Sequence, residues 1–359
     1  MQRTRPFIAL LLFLAVLLLP ANAQAVPHGF FGIVPQTGIG SEDLARMRAG
    51  GVETLRTPLS WAGVQRSPRS DYDWSGFDAT VAEAAKNRIE VLPILSISPH
   101  WATGSGRRMP VDSGRQRRAW GEFVHAAVER YGRRGEFRRE HGPGSDEPVP
   151  RVPIRAWQIW NEENFFYFTK PVSPGRYARL LAVSRRAIKR ADPRGEVVLG
   201  GLFGNPKQDP PAAMDAVDFL DQLYRRGAKP NFDAVALHPY AANVAELRFL
   251  VEAVRATMAR HGDRRSGLYV TELGWGSDYN PRAVAFEVGL RGQARELRDA
   301  YGYLLANRHR LRLRQVDWFT WKDLPGSCAF CDSSGLFRRG ERFRPKPAWH
   351  AFVQVTRRW

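Results

Sequence analysis

From residue 30 onward the chain repeats one pattern: a short apolar run, a polar turn, then a stretch whose apolar residues recur at helical spacing. Phe30 to Val34 reads as the first strand. Ser41 opens a helix with Glu42 and Asp43 in its first turn, and Gly50 and Gly51 stop it after Arg48. Val52 to Leu59 is the second strand, and the next helix carries Phe77, Val81, Ala84 and Ala85 on one face. Ile89 to Ile97 is the third strand, followed by a basic helix from Arg115 to Tyr131. Residues 132–153 are rich in Gly, Pro and charge; they read as a long surface loop, because an apolar strand resumes at once from Ile154 to Trp160. Beyond it, helices at 174–190, 214–226, 244–261, 286–308 and 347–356 alternate with strands at 197–202, 233–238, 268–272 and 316–321.

That makes eight strands and eight helices in strict alternation. The strands read as continuous apolar runs, as parallel strands covered on both faces do. The pattern predicts an α/β fold in which residues 26–359 form a single (β/α)8 TIM barrel. No Gly-x-Gly-x-x-Gly follows the first strand, which weighs against an open dinucleotide-binding sheet.

The first 25 residues stand outside this repeat. Arg3 and Arg5 precede an apolar run from Phe7 to Leu19, and small residues follow up to Ala25. A basic start, a short apolar segment and a small-residue site predict a secretory signal peptide over 1–25, and so a secreted or cell-envelope protein. The run is shorter than the roughly 20 residues a membrane-spanning helix needs. Cys328 and Cys331 are the only cysteines; in an exported chain the expectation is a short-loop disulfide, with two free thiols as the plainer alternative. Net charge is +18, but arginines such as Arg185, Arg186, Arg225, Arg226, Arg264 and Arg265 are scattered over predicted helices. No basic run interleaves with aromatics, so no nucleic-acid partner is expected.

Chemistry concentrates at strand ends: Arg56 on strand two, His100 after strand three, Asn161 and Glu162 on strand four, His238 and Tyr240 on strand six, Glu272 on strand seven and Trp321 on strand eight. Barrel enzymes take their catalytic groups from these C-terminal ends. Two glutamates on opposed strands fit retaining glycoside hydrolysis, which needs an acid and a nucleophilic carboxylate about 5–5.5 Å apart. Each residue also has a bland reading. A lone strand-tip glutamate is more often a cap or a surface ion pair, His238 can be a hydrogen-bonded core histidine, and single tryptophans are more often core than sugar platforms.

The stretch Trp157 to Asn164 (WQIWNEEN), with Asp71 to Trp74 (DYDW), His238 to Tyr240 (HPY), Thr271-Glu272, Ser334 to Phe337 (SGLF) and Lys346 to Trp349 (KPAW), resembles clan A glycoside hydrolases. Family 39 enzymes and related bacterial family 5, cellulase-like proteins are the most similar, over nearly all of residues 26–359. The resemblance implies that Glu162 is the acid/base, that Asn161 binds the sugar 2-hydroxyl, and that Glu272 is the nucleophile with Arg56 and Tyr240 as hydrogen-bonding neighbours. Trp321 would form an apolar floor for the sugar, with Trp275, Trp101 and Trp61 lining adjacent subsites. The implied substrate is a β-linked polysaccharide or oligosaccharide. Neither cofactor nor metal is implied, and no His-Glu-x-x-His occurs. Related sequences usually carry proline where this chain has Glu163. Strand alternation predicts that Glu162 faces the barrel mouth while Glu163 turns away towards loop and solvent. The alternative function is a catalytically idle barrel that binds glycans.

Overall fold

A computed structural model describes residues 26–206, 208–278, 285–324, 326, 332–340 and 344–359. The 1–25 segment and the Cys328–Cys331 pair lie outside the described residues. Among the described residues, eight parallel strands close into a barrel: β1 (Phe31–Val34), β2 (Thr54–Ser60), β3 (Glu90–Ser96), β4 (Ala156–Ile159), β5 (Glu196–Val198), β6 (Ala234–His238), β7 (Gly267–Leu273) and β8 (Leu313–Phe319). Each pairs with its neighbour in sequence order, and β8 returns to β1 with Phe31 opposite Val316 and Val34 opposite Phe319. The fold is the predicted (β/α)8 barrel.

The outer ring consists of α1 (Ser41–Ala49), α2 (Ser75–Lys86), α3 (Gly114–Tyr131), α4 (Pro174–Ala191), α5 (Ala216–Arg225), α6 (Val244–Arg260), α7 (Gly289–Ala306) and α8 (Pro347–Arg358). Local chemistry sets their starts. Ser113, Ser173 and Asn243 each accept the N–H of the residue three positions on, satisfying a donor the helix itself leaves free. Each helix buries one stripe; on α4 it runs through Tyr177, Leu180, Leu181 and Ile188. None is long and apolar enough to cross a membrane among the described residues.

Three boundaries differ from expectation. The long 132–153 loop contains a helical turn, Glu136–Glu140, anchored by buried Phe137. The fifth strand breaks after Val198, and the chain rejoins β6 only at Leu202–Phe203. The eighth strand lies earlier than its apolar core suggests. It starts at Leu313, where it pairs with Leu268 despite Arg314 and Gln315, and it ends at Phe319 rather than Trp321.

Inside the barrel, Leu92, Val198, Ala234, Ala236 and Tyr269 form an apolar layer. Arg56, Gln158, His238, Thr271 and Asp317 are buried and polar, and lie with Glu272 in one connected set of charges and hydrogen bonds. Buried polar groups are costly unless satisfied by one another, so this cluster must act as a unit.

Candidate active site

Arg56 organises the site. It is wholly buried on β2, and its guanidinium donates in three directions: Nε to Gln158 Oε1 at 2.6 Å, Nη1 to Glu272 Oε1 at 2.6 Å, and Nη2 to Asn161 Oδ1 at 2.7 Å. A rigid planar fork can reach β4 and β7 at once in a way a lysine cannot. Glu272 takes a second bond on its other oxygen, from the Tyr240 hydroxyl at 2.6 Å. Both carboxylate oxygens of Glu272 are thus held, one by the Arg56 ion pair and one by the phenol.

Glu162 occupies a different environment. It is 4% exposed, and its Oε1 lies 2.8 Å from His238 Nδ1. Burial first, then the charge of Glu272, raises its pKa well above the usual carboxylate range, with Arg56 opposing. His238 is fully buried and its pKa is lowered well below the usual imidazole value, first by burial and then by Arg56. The ring is therefore neutral and carries one N–H. It makes one bond to Glu162 and one, at 3.0 Å, to Thr271 Oγ1, so one is donated by the ring and the other by its partner. Donor atoms of Glu162, His238 and Glu272 all lie within 4.8 Å of one another. A cation fits this trio poorly: both Glu272 oxygens and His238 Nδ1 already have partners, and the Arg56 guanidinium supplies the positive charge.

Two irregularities build this cluster. On an ideal strand Thr271 and Glu272 would point to opposite faces. Both reach the same cluster, and the β7–β8 register shifts between Val270 and Leu273, as at a β-bulge, which re-aims a side chain. At the end of β4, Trp160 (φ +72°) and Glu162 (φ +41°) adopt left-handed backbone. Such strain in non-glycine residues persists only where the surroundings enforce it. Here the Glu162 N–H is tied to Gly200 O at 3.1 Å and the Trp160 indole N–H to Thr169 Oγ1 at 2.8 Å. Gly201 is required nearby: a Cβ there would come within 2.1 Å of His238 Nε2, and its φ is +81°.

Glu163 departs from expectation. It does turn away from Glu162, but into the protein, and it is 0% exposed. Neither carboxyl oxygen has a hydrogen-bond partner. The nearby Tyr177 hydroxyl and Gly200 amide are engaged with each other at 2.8 Å, and that hydroxyl donates to Ile159 O at 2.7 Å. β4 ends at Ile159 and the left-handed residues Trp160 and Glu162 interrupt its alternation, so the strand period does not set this orientation; α4, packed behind β4, makes the side that Glu163 takes interior. Burial pushes the Glu163 pKa up to about 8. Asp317, below Arg56, is likewise fully buried and pushed up to about 7, chiefly by burial.

The remaining predicted residues divide. Trp61 is 0% exposed, packed edge-on against Trp101 and Trp120, with its N–H on Gln65. Trp275 packs against Trp318, and Trp321 against Phe337 and Trp349 with its N–H on Asp43 Oδ1. All three are buried core side chains with no face left for a ligand, which corrects their reading as subsite walls. Trp101 is half-buried, with its N–H on Gln65 O. His100 is exposed at the start of a short turn and shares no hydrogen bond with the cluster among the described residues. The aromatic that β8 brings beside the site is Phe319, 5.9 Å from Tyr240 ring to ring, because the strand ends there and not at Trp321. Gln158 and Thr271 were also missed, although Gln158 is the lone polar residue of its apolar strand and Thr271 directly precedes Glu272. A hollow of about 390 Å³ lies at the opposite end of the barrel, lined by Gly132 to Glu136 and Asp192 to Arg194. Arg133 and Asp192 in its lining pair with each other at 2.8 Å.

No family model matches the chain, and no curated protein does. Solved structures do match in fold. A family 39 glycoside hydrolase from Bacteroides cellulosilyticus aligns with TM-score 0.64 and 22% identity over 92% of this chain and 63% of that one. A glucosidase from Croceicoccus marinus aligns at 0.64 and 17%, over 92% of this chain and 67% of that one. A monomeric β-xylosidase from Caulobacter crescentus aligns at 0.62 and 19%, over 92% of this chain and 68% of that one. This chain thus spans under two thirds of the length of the Bacteroides protein.

Proposed function

We propose that the chain is a retaining glycoside hydrolase acting on a polysaccharide or oligosaccharide. The observation that carries the reading is the pair Glu162 and Glu272, close together but with different partners: Glu162 is buried against His238, and Glu272 is held by Arg56 and Tyr240. Environments that separate two carboxylates in this way suit one to be the acid and the other the nucleophile. Their close approach favours retention, because inversion leaves about 6.5–9.5 Å between carboxyl groups for a water molecule.

In the first step Glu272 attacks the anomeric carbon as the glycosidic C–O bond breaks, and the proton of Glu162 passes to the leaving oxygen. In the second, Glu162 takes a proton from water, whose oxygen attacks the same carbon and frees Glu272. Neutral His238 can accept a hydrogen bond from protonated Glu162 or donate one to the ionised form, which suits a residue that alternates between acid and base. Arg56 and Tyr240 hold Glu272 in line for attack, and Arg56 also orients Asn161 towards the sugar 2-hydroxyl. The solved structures of similar fold include one named a glucosidase and one named a β-xylosidase, which supports the reaction class without choosing the sugar. Export through the 1–25 segment and a single catalytic domain over 26–359 belong to the same proposal.

Glu272→Gln is expected to nearly abolish release of chromophore from aryl β-glycosides, with a chelator making no difference to the unaltered protein. A 2-deoxy-2-fluoro glycoside should leave its sugar on Glu272. A label on Glu163 or Glu287 instead overturns the assignment.

A further inference from the structure

Of the five large hydrophobic side chains exposed among the described residues, four sit together in the fold: Ile97, Phe166, Tyr167 and Phe168. Ile97 follows β3, the others follow β4, and these strands are neighbours in the barrel. All four therefore stand on one sector of the rim, at the C-terminal ends of the strands. Isolated exposed hydrophobics need no explanation, but a contiguous patch beside a site does.

The patch is continuous with the catalytic cluster. The Phe165 N–H donates to the carbonyl of Glu162 itself at 2.9 Å. The Phe165 ring lies 4.9 Å from Phe166 and is stacked on Phe203 at 5.1 Å; Phe203 lies 5.8 Å from Tyr240, whose hydroxyl holds Glu272. Tyr167 lies nearly parallel to Phe165, with 22° between planes, and Phe168 meets Tyr167 edge-on at 5.1 Å.

The segment is also braced. Phe168 and Thr169 N–H groups both return to Phe165 O, the Trp160 indole donates to Phe168 O, and the Lys170 N–H bonds Arg107 O on the β3 side. Asn164 ties its root to Phe203 and Met214 through both ends of its amide. Strained backbone falls on the same sector, with Ile97 at φ +60° beside Trp160 and Glu162. A β-branched residue held left-handed and exposed is a marked outlier. Aromatic rings kept exposed by so many bonds are presented to something.

We propose that Phe166, Tyr167 and Phe168 form a stacking platform for the sugar units of the leaving group, so that the substrate is an oligosaccharide or polysaccharide extending beyond the cleaved bond. The proposal rests on the glycosidase reading. Protonation by Glu162 puts the leaving oxygen on the β4 side, and the chain attached to that oxygen runs out over the segment that begins at Phe165. The ligand chemistry is the C–H face of a pyranose ring, which packs on an aromatic face. Tyr167, the most exposed of the three at 58%, is the central contact.

The test uses two kinds of substrate. β-D-glycosyl fluorides of glucose, xylose, mannose and galactose carry a one-atom leaving group that cannot reach the platform. The β-1,4-linked di-, tri- and tetrasaccharides of the same sugars can. Tyr167→Ala should leave kcat/KM for the reactive fluoride unchanged. It should lower kcat/KM for the tri- and tetrasaccharide about 10-fold, mainly through KM, as one lost stacking contact of moderate strength would. Tyr167→Phe should restore it, since the ring is kept. Fluoride turnover with identical oligosaccharide kinetics in all three proteins overturns the platform alone. Absence of turnover on every fluoride and every oligosaccharide overturns the glycosidase reading and the platform with it.

Discussion

Replacing Glu163 by Gln tests whether a buried carboxyl keeps its proton at neutral pH. Glu163 is wholly inaccessible, has no hydrogen-bond partner, and is pushed up to about 8 from an ordinary value of 4.5. The unfolded chain loses this proton near pH 4.5, whereas the native protein keeps it to about pH 8. Between those values the native state binds one more proton than the unfolded state, so stability falls with rising pH, by about 1.4 kcal/mol per unit. The stability that protonated Glu163 allows is fully present below pH 4.5 and is lost as pH rises through about 8. Over the 3.5 units between 4.5 and 8 the loss reaches about 5 kcal/mol. Glutamine has nearly the same shape and no charge in either state, so the variant lacks this slope. Every other titrating group is common to both proteins and cancels in the difference. Urea titrations followed by tryptophan fluorescence should therefore find the two proteins within about 1 kcal/mol at pH 4.5, where the change is close to isosteric. By pH 7.5 Glu163→Gln should be the more stable by about 4 kcal/mol. A constant difference across that range would mean that Glu163 is ionised or solvated in the native protein, and the reasoning would fail.

Glu162→Ala should slow hydrolysis of natural oligosaccharides far more than of aryl glycosides with good leaving groups, and azide should rescue the latter by attacking the glycosyl-enzyme. If Glu163→Gln shows that leaving-group dependence instead, the acid/base assignment is wrong by one residue. Arg56→Lys keeps the charge but loses the fork to Gln158, Glu272 and Asn161. It should cost about 3 kcal/mol in stability through unsatisfied buried acceptors, together with at least 10-fold in kcat; a variant that melts and turns over like the parent removes Arg56 from the centre of the site. Thiol titration of the unreduced, denatured mature protein should find no free thiol if Cys328 and Cys331 are bridged. So short a loop removes little unfolded-state entropy, so reduction should lower the melting temperature only slightly.

The barrel was legible in the sequence because its parallel strands are covered on both faces and stay apolar along their length, between helices with periodic stripes and clear caps. Local pattern failed where a strand's inner face is polar. Buried Gln315, next to exposed Arg314, interrupts the apolar run and hid the start of β8, and with the early end of that strand Phe319 rather than Trp321 lies beside the site. The two glutamates, Asn161, His238 and Tyr240 were legible as residues at or just past strand ends, because a barrel brings such tips to one end whatever the intervening loops. Arg56 was legible as the one charge within β2, although it sits in the body of that strand and not at its tip.

Spacing along the chain could not say how close those groups come, or in what charge state. That Thr271 and Glu272 serve one cluster depends on the β7 irregularity, which exists only in pairing with β8. That Trp61, Trp275 and Trp321 are core was decided by the layers covering them, since a tryptophan at a strand end reads alike as wall or platform. Glu163 makes the same point for charge. The two-residue period of β4 ends at Ile159, and the left-handed backbone at Trp160 and Glu162 breaks it before Glu163, so only the tertiary structure set where that side chain goes. The packing of α4 and the Gly200 segment there removed the water that would have let it ionise.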